Sequence, residues 1–68
     1  MKQILPDEIK VGDNLSIEQS FEAGYIHYIG KVVKYGDEYV YLNVCRDVPI
    51  NLHPHVGMPS VLIYRINS

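Results

Sequence analysis

The pattern of apolar and polar residues along this chain is that of short β-strands; residues 15–20, for example, alternate with a period of two, which is the period of a β-strand with one buried face. The longest strand-like stretch, Tyr25 to Cys45, reads as a β-hairpin whose two arms meet near Gly36-Asp37. Both arms are rich in Tyr, Val and Ile, which fit a pleated and half-buried surface. We predict that this hairpin is the structural centre of the fold.

The length of the hairpin loop decides which side chains face the core, because a slip of one residue exchanges the two faces of a strand. An even loop of two or four residues around Gly36-Asp37 places Val33 opposite Val40. A loop of three residues would bring Val32 inward in place of Val33. We prefer the even loop, which predicts an inward set of Ile29, Val33, Val40, Leu42 and Val44. The predicted outward set is Tyr28, Val32, Lys34, Tyr39, Tyr41 and Asn43.

Three shorter strands are predicted around the hairpin, over residues 15–20, 50–53 and 61–66. Turn signals that contain Gly or Pro separate them. The apolar residues of 61–66 are continuous, which indicates burial on both faces or an exposed apolar side that awaits a partner. No segment has a sustained helical period. The pattern predicts one all-β domain over residues 1–68, a small five-stranded antiparallel barrel of the split or SH3-like type.

Two local features complete the predicted fold. Pro6 interrupts any regular element in residues 1–8, so this segment is expected to be a lead-in that packs against the barrel. Its apolar contacts are expected to come from Ile4, Leu5 and Ile9. Gly30 lies inside a strand pattern, where glycine indicates a β-bulge or a bend.

The length, cysteine content and charge of the chain disfavour several classes of protein function. A chain of 68 residues has one small core, and such cores gain stability from a metal, a disulfide or a partner surface. The single cysteine, Cys45, cannot form an internal disulfide and suits the reducing environment of the cytoplasm. The chain has a net charge of −2 and no cluster of basic residues, and both features disfavour binding to a nucleic-acid backbone. No apolar run is long enough to span a membrane.

Candidate catalytic and metal-binding residues are few. His53 and His55 flank one proline, so an extended backbone could direct both at one metal ion, with His27 or Cys45 as a third ligand. The alternative is a polar loop that happens to contain two histidines. Cys45 lies in an apolar context, which favours a structural thiol over a nucleophile. We therefore expect no enzyme activity and no cofactor, and metal binding through His53 and His55 is kept as an alternative function.

The tyrosines are the strongest candidates for binding. Tyrosine offers a large contact area with little rotamer freedom to lose, and it is enriched at protein interfaces. The same rings could stack on nucleic-acid bases, or could simply stabilise the sheet as cross-strand pairs. The predicted partner-binding residues are Tyr25, Tyr28, Tyr39, Tyr41 and Tyr64.

The order of these signals resembles a known family. A glycine turn within Ile9 to Ile17 precedes the first strand, 30–35 is followed by 39–44, and Gly57 leads into 61–64. This order resembles the N-terminal, PilZN-like domain of YcgR-type flagellar-brake proteins, and it also suits SH3-like and KOW-like barrels. The resemblance implies a split barrel that acts by contacting other proteins or domains, in a bacterial or phage protein.

The resemblance does not extend to dinucleotide binding. In that family a following PilZ domain binds cyclic di-GMP through an arginine-rich motif, and Arg65 has no second arginine at the motif spacing. We expect a non-enzymatic, regulatory protein-interaction module that binds a partner protein, or a second copy as a homodimer, through the tyrosine-rich face of residues 25–45. The first alternative is a small barrel that binds a nucleotide, such as a cyclic dinucleotide, or a nucleic acid.

Overall fold

The structure, a computed structural model, describes residues 1–36 and 38–66. These residues form six strands and one short 3-10 turn, Pro6–Glu8. The strands are β1 (Lys2–Gln3), β2 (Asn14–Phe21), β3 (Gly24–Gly36), β4 (Tyr39–Leu42), β5 (Ile50–Asn51) and β6 (Ser60–Arg65). The all-β class is therefore confirmed. No helix in this part of the chain has the length and hydrophobicity needed to cross a bilayer.

The strands form one antiparallel sheet in the order β1-β6-β2-β3-β4-β5. The sequence predicts five strands, and the sixth is the two-residue β1, which pairs with β6. Strand β3 belongs to two ladders, because Gly24 to Lys31 pair with β2 and Val32 to Gly36 pair with β4. The whole sheet has β1 at one edge and β5 at the other.

The core lies on the inward face of this sheet and is made of aliphatic side chains from nearly every element. Ile4 and Ile9 close it from the lead-in as expected, whereas Leu5 is 65% exposed, so the prediction that Leu5 packs inward is wrong. The buried cluster consists of Ile4, Ile9, Leu15, Ile17, Val32, Val40, Leu42, Ile50, Leu52 and Ile63.

The hairpin has an even loop, but its faces differ from the prediction. Gly36 pairs with Tyr39, so the loop comprises positions 37 and 38; Asp37 itself lies outside the described residues. The pairing then shifts between Val32 and Lys34, which leaves Val33 as an extra residue in a β-bulge. The bulge predicted at Gly30 thus lies three residues further along the chain.

This bulge reverses the predicted faces of residues 28–32 in the first hairpin arm. Val32 is 1% exposed and belongs to the core, while Val33 is only half-buried. Ile29 and Val44 are 56% and 64% exposed. The prediction that Ile29, Val33 and Val44 are core residues is therefore wrong. The extra residue at Val33 changes the alternation along β3, whereas Val44 lies beyond the end of β4 at Leu42. The prediction for Val40 and Leu42 is confirmed.

One buried polar side chain connects distant parts of the sheet. Gln19 is 5% exposed and lies in β2 on the same face as Leu15 and Ile17. Its Nε2 donates a hydrogen bond of 2.8 Å to the backbone oxygen of Asn51 in the edge strand β5. This bond joins two strands that no backbone ladder connects.

Candidate interaction surface

The side of the β6-β2-β3 ladder that faces away from the core carries the most distinctive surface of the molecule. Along β2, the inward residues Leu15 and Ile17 alternate with outward residues Ser16, Glu18 and Ser20. The strand register places a residue of β3 on one side of each outward residue and a residue of β6 on the other. These three rows, here called the outer face, are Ile29–Ser16–Tyr64, His27–Glu18–Leu62 and Tyr25–Ser20–Ser60.

The outer face has small or polar residues along its middle strand and larger side chains at its sides. Tyr25 is 68% exposed, Ile29 is 56% exposed and Leu62 is 36% exposed. Ser16 is only 5% exposed although it points outward, because Ile29 and Tyr64 flank it. Clusters of exposed apolar side chains with a polar rim commonly mark interaction sites on soluble proteins.

A hydrogen bond orders the middle of this surface. The Ser16 hydroxyl and His27 Nε2 are 2.6 Å apart, and Glu18 lies directly across the ladder from His27. His27 is exposed, while Glu18 is half-buried. The imidazole ring is thus held against the central strand, and the outer face presents one carboxylate among its apolar side chains.

The five predicted tyrosines do not share one surface. Tyr25 and Tyr64 lie on the outer face. Tyr39 and Tyr41 lie on the outward side of the β3-β4 ladder, where Lys34 Nζ is 5.3 Å from the centre of the Tyr41 ring. This geometry is that of a cation–π contact.

Tyr28 does not lie on an outward face, so that part of the prediction is wrong. It pairs with Ile17 and packs, partly buried, against the core. Residues 24–31 pair with β2 in a regular alternation, which places Tyr28 on the side of Val32 rather than on the side of Tyr39. The bulge at Val33 separates the two halves of β3. A period of two that is extended from Tyr39 and Lys34 back across the bulge therefore assigns Tyr28 to the wrong face.

The histidines are dispersed. His53 Nε2 lies 3.4 Å from Glu38 Oε1, and both side chains are more than half exposed. His55 Nδ1 is 2.7 Å from the backbone oxygen of Val56. His27 belongs to the outer face, and Cys45 packs against the core. Within residues 1–36 and 38–66, no three His, Cys, Asp or Glu side chains come together as metal ligands would.

The same part of the chain encloses no pocket. Comparison of the chain with models of protein families, with curated proteins and with solved structures finds no match.

Sequence reasoning missed three residues of the outer face. The sequence pattern predicts Ile29 as a core residue and indicates His27 only as a metal ligand. Leu62 had a usable signal, since the continuous apolar run of 61–66 indicated an exposed apolar side. In the structure Ile63 is buried and Leu62 is exposed, as that second interpretation requires.

Proposed function

We propose that this protein is a non-enzymatic, cytoplasmic interaction module that binds a partner protein through the outer face. The observation that carries the proposal is the convergence of Tyr25, Ile29 and Leu62, all exposed, with the half-buried Tyr64 on one side of a single ladder. Aromatic and aliphatic side chains of this kind form the centres of protein interfaces.

The rigidity of the outer face supports this assignment. Its residues lie on three paired strands rather than on loops, so little conformational entropy is lost when a partner binds. The hydrogen bond between Ser16 and His27 further restricts the ring at the centre. A preorganised surface retains more of its contact energy as affinity.

The proposed architecture is a small split barrel of the PilZN-like or SH3-like type. Two observations support it. Strand β3 takes part in both ladders, and the Gln19 side chain reaches from β2 to Asn51 in β5. In such a barrel the outer face remains available while the core is enclosed on the other side.

Paired substitutions on the two tyrosine-bearing surfaces test the proposal. Replacement of Leu62 and Tyr64 by Thr removes contact area from the outer face, and Thr keeps a high strand propensity. We expect this variant to lose the proteins that the native chain captures from a lysate of its source organism. The matched control replaces Tyr39 and Tyr41 by Thr on the other surface, and it should retain them.

Quantitative mass spectrometry of the captured proteins, with thermal unfolding to confirm that each variant is folded, provides the measurement. Loss of capture only in the control variant would move the interface to the surface of Tyr39 and Tyr41. Capture that is unchanged in both folded variants would contradict binding through either surface.

A further inference from the structure

One edge of β3 is open along half of its length. From Gly24 to Lys31 the strand pairs with β2 on one side. On the other side the first contact is at Lys31, which is hydrogen-bonded to Asn43 just beyond the end of β4. Among residues 1–36 and 38–66, no strand occupies the second edge of 25–29. The backbone groups on one edge of this segment are hydrogen-bonded to β2, and no strand pairs with the backbone groups on its other edge.

The direction of the backbone groups along this edge follows from the neighbouring hydrogen bonds. The amide of Val32 donates to Asp13, and its carbonyl accepts from Gly12, both at 2.9 Å, so Val32 directs its backbone toward β2. The carbonyl of Lys31 instead accepts from Asn43 on the β4 side at 2.8 Å. Since alternate residues of an antiparallel strand bond to the same neighbour, Tyr25, His27 and Ile29 direct their N–H and C=O groups to the open edge.

This edge lacks the features by which proteins prevent strand pairing. Residues 24–30 contain no Lys, Arg, Asp, Glu or Pro, and the bulge lies beyond them at Val33. Tyr25, Ile26 and Ile29 are 68%, 44% and 56% exposed. Natural edge strands are usually protected by charges, prolines or bulges, and an unprotected apolar edge recruits another strand.

The residues of the edge are complementary to a reversed copy of themselves. The segment reads Gly24-Tyr-Ile-His-Tyr-Ile-Gly30, with His27 at its centre. Antiparallel pairing about His27 sets Tyr25 opposite Ile29 and Ile26 opposite Tyr28 of a second copy. Each of these is an aromatic residue opposite a β-branched one, which is a favourable cross-strand combination, and no two like charges face each other.

We propose that the open edge of β3 pairs with the same edge of a second copy, antiparallel and centred on His27, so that the sheets of two molecules become continuous. This inference rests on the proposed function as an interaction module, and it specifies a second copy as one partner. Pairing through the outward-directed groups of Tyr25, His27 and Ile29 forms about six backbone hydrogen bonds.

The two-fold axis stands perpendicular to the joined sheet, so both outer faces lie on the same side. Tyr25 of one molecule then lies beside Ile29 of the other, and the outer face is extended across the interface. Ile26 and Tyr28 pack together on the opposite side of the strands. A small core gains stability from such added burial, because binding to the folded state alone favours that state.

Disulfide cross-linking tests the register directly. In a Cys45→Ala background, His27→Cys places two thiols at the centre of the predicted pairing, where Cα atoms are about 5.5 Å apart. This spacing lies within the range that a disulfide spans. We expect mild oxidation to convert most of this variant into covalent dimers on non-reducing gels.

Two further cysteine variants, in the same Cys45→Ala background, serve as matched controls. Tyr25→Cys and Ile29→Cys should each remain monomeric on oxidation, because the two copies of either position lie about 14 Å apart along the strands. A mixture of the two variants should form a mixed dimer, since these positions face each other. Efficient cross-linking of either variant alone, or none with His27→Cys, would contradict the proposed register.

A charge substitution tests the dimer without cysteine. His27→Lys sets two ammonium groups against each other at the two-fold axis, and we expect it to raise the dimer dissociation constant roughly a hundredfold. His55→Lys makes the same change at an exposed position away from the edge and should leave the constant unchanged. Light scattering during size-exclusion chromatography provides the measurement.

The outcomes separate this inference from the proposed function. A native chain that is monomeric at all concentrations, yet loses protein capture on replacement of Leu62 and Tyr64, overturns the β3 pairing alone. A dimer that cross-links at His27, with capture unaffected by either pair of Thr substitutions, overturns the proposed function alone.

Discussion

Gly30 shows how a single residue can be required by packing rather than by backbone torsion. A Cβ atom built at this position would lie 2.7 Å from Asn43 Oδ1 and 3.2 Å from Val44 Cγ2. Asn43 Oδ1 also accepts a hydrogen bond of 2.9 Å from the Lys31 amide, at the point where β3 passes from one ladder to the other. The absent side chain thus allows the two chain segments to approach closely.

We predict that Gly30→Ala lowers the free energy of unfolding by about 1–3 kcal/mol, since the added methyl group displaces Asn43 from its hydrogen bond. Gly36→Ala is the matched control, because nothing lies within 4 Å of a Cβ there. Urea unfolding of both variants measures the difference. Equal stability of the two variants would contradict the close approach at Gly30.

Among the elements, β3 and the turn that follows it determine which side chains of the hairpin face the core. The turn residue Glu38 has φ of +75°, a left-handed conformation that residues other than Gly and Asn adopt at a cost. Its carbonyl accepts a hydrogen bond from Leu52 at 2.9 Å, so the conformation also fixes the start of the β4-β5 pairing. The strain is tolerated because the strands on both sides determine the course of the turn.

We expect Glu38→Gly to raise the free energy of unfolding by about 0.5–1 kcal/mol, since glycine relieves the left-handed strain and loses part of that gain through backbone entropy. Glu38→Ala is the control, because it removes the same carboxylate but retains the Cβ atom. Thermal unfolding should rank the glycine variant as the most stable of the three proteins. A gain of similar size in the alanine variant would show that the carboxylate, and not the backbone, was destabilising.

At the scale of the whole molecule, Gln19 holds together parts of the sheet that backbone pairing leaves apart. Its amide is buried and donates to the Asn51 carbonyl in β5. A residue at this position needs a hydrogen-bond donor, because an acceptor would face a carbonyl oxygen in a dry environment. The neighbouring Glu18 lies on the outer face and carries no such requirement.

Gln19→Glu should therefore lower the free energy of unfolding by about 2–4 kcal/mol at neutral pH, since it buries a carboxylate against a carbonyl oxygen. Burial raises the pKa of the introduced carboxyl in the folded state, so protonation favours folding. Stability should consequently recover as the pH falls through that raised pKa, when the protonated carboxyl donates to Asn51. Chemical unfolding at a series of pH values tests this, with Glu18→Gln as the control.

Much of the fold could be predicted from local pattern. The alternation of residues 15–20 correctly indicated β2, with Leu15 and Ile17 buried, and the Val40 and Leu42 positions of β4 were also correct. Strand β1 could not be predicted, because two exposed residues carry no period and owe their conformation to pairing with β6. The predicted partner-binding tyrosines lie on different surfaces of the structure, because one bulge separates two regular halves of β3.

The sequence by itself determined the all-β class, five of the six strands and the abundance of Tyr, Val and Ile in the hairpin, since these depend on a period of two and on local propensity. Only the tertiary structure decided which of those residues are exposed. The bulge at Val33 is set by the competing registers of the β2 and β4 ladders, and a single extra residue moves Val32 into the core and leaves Ile29 outside. The edge of β3 before Lys31 is open because the short strand β4, Tyr39–Leu42, pairs only with its second part.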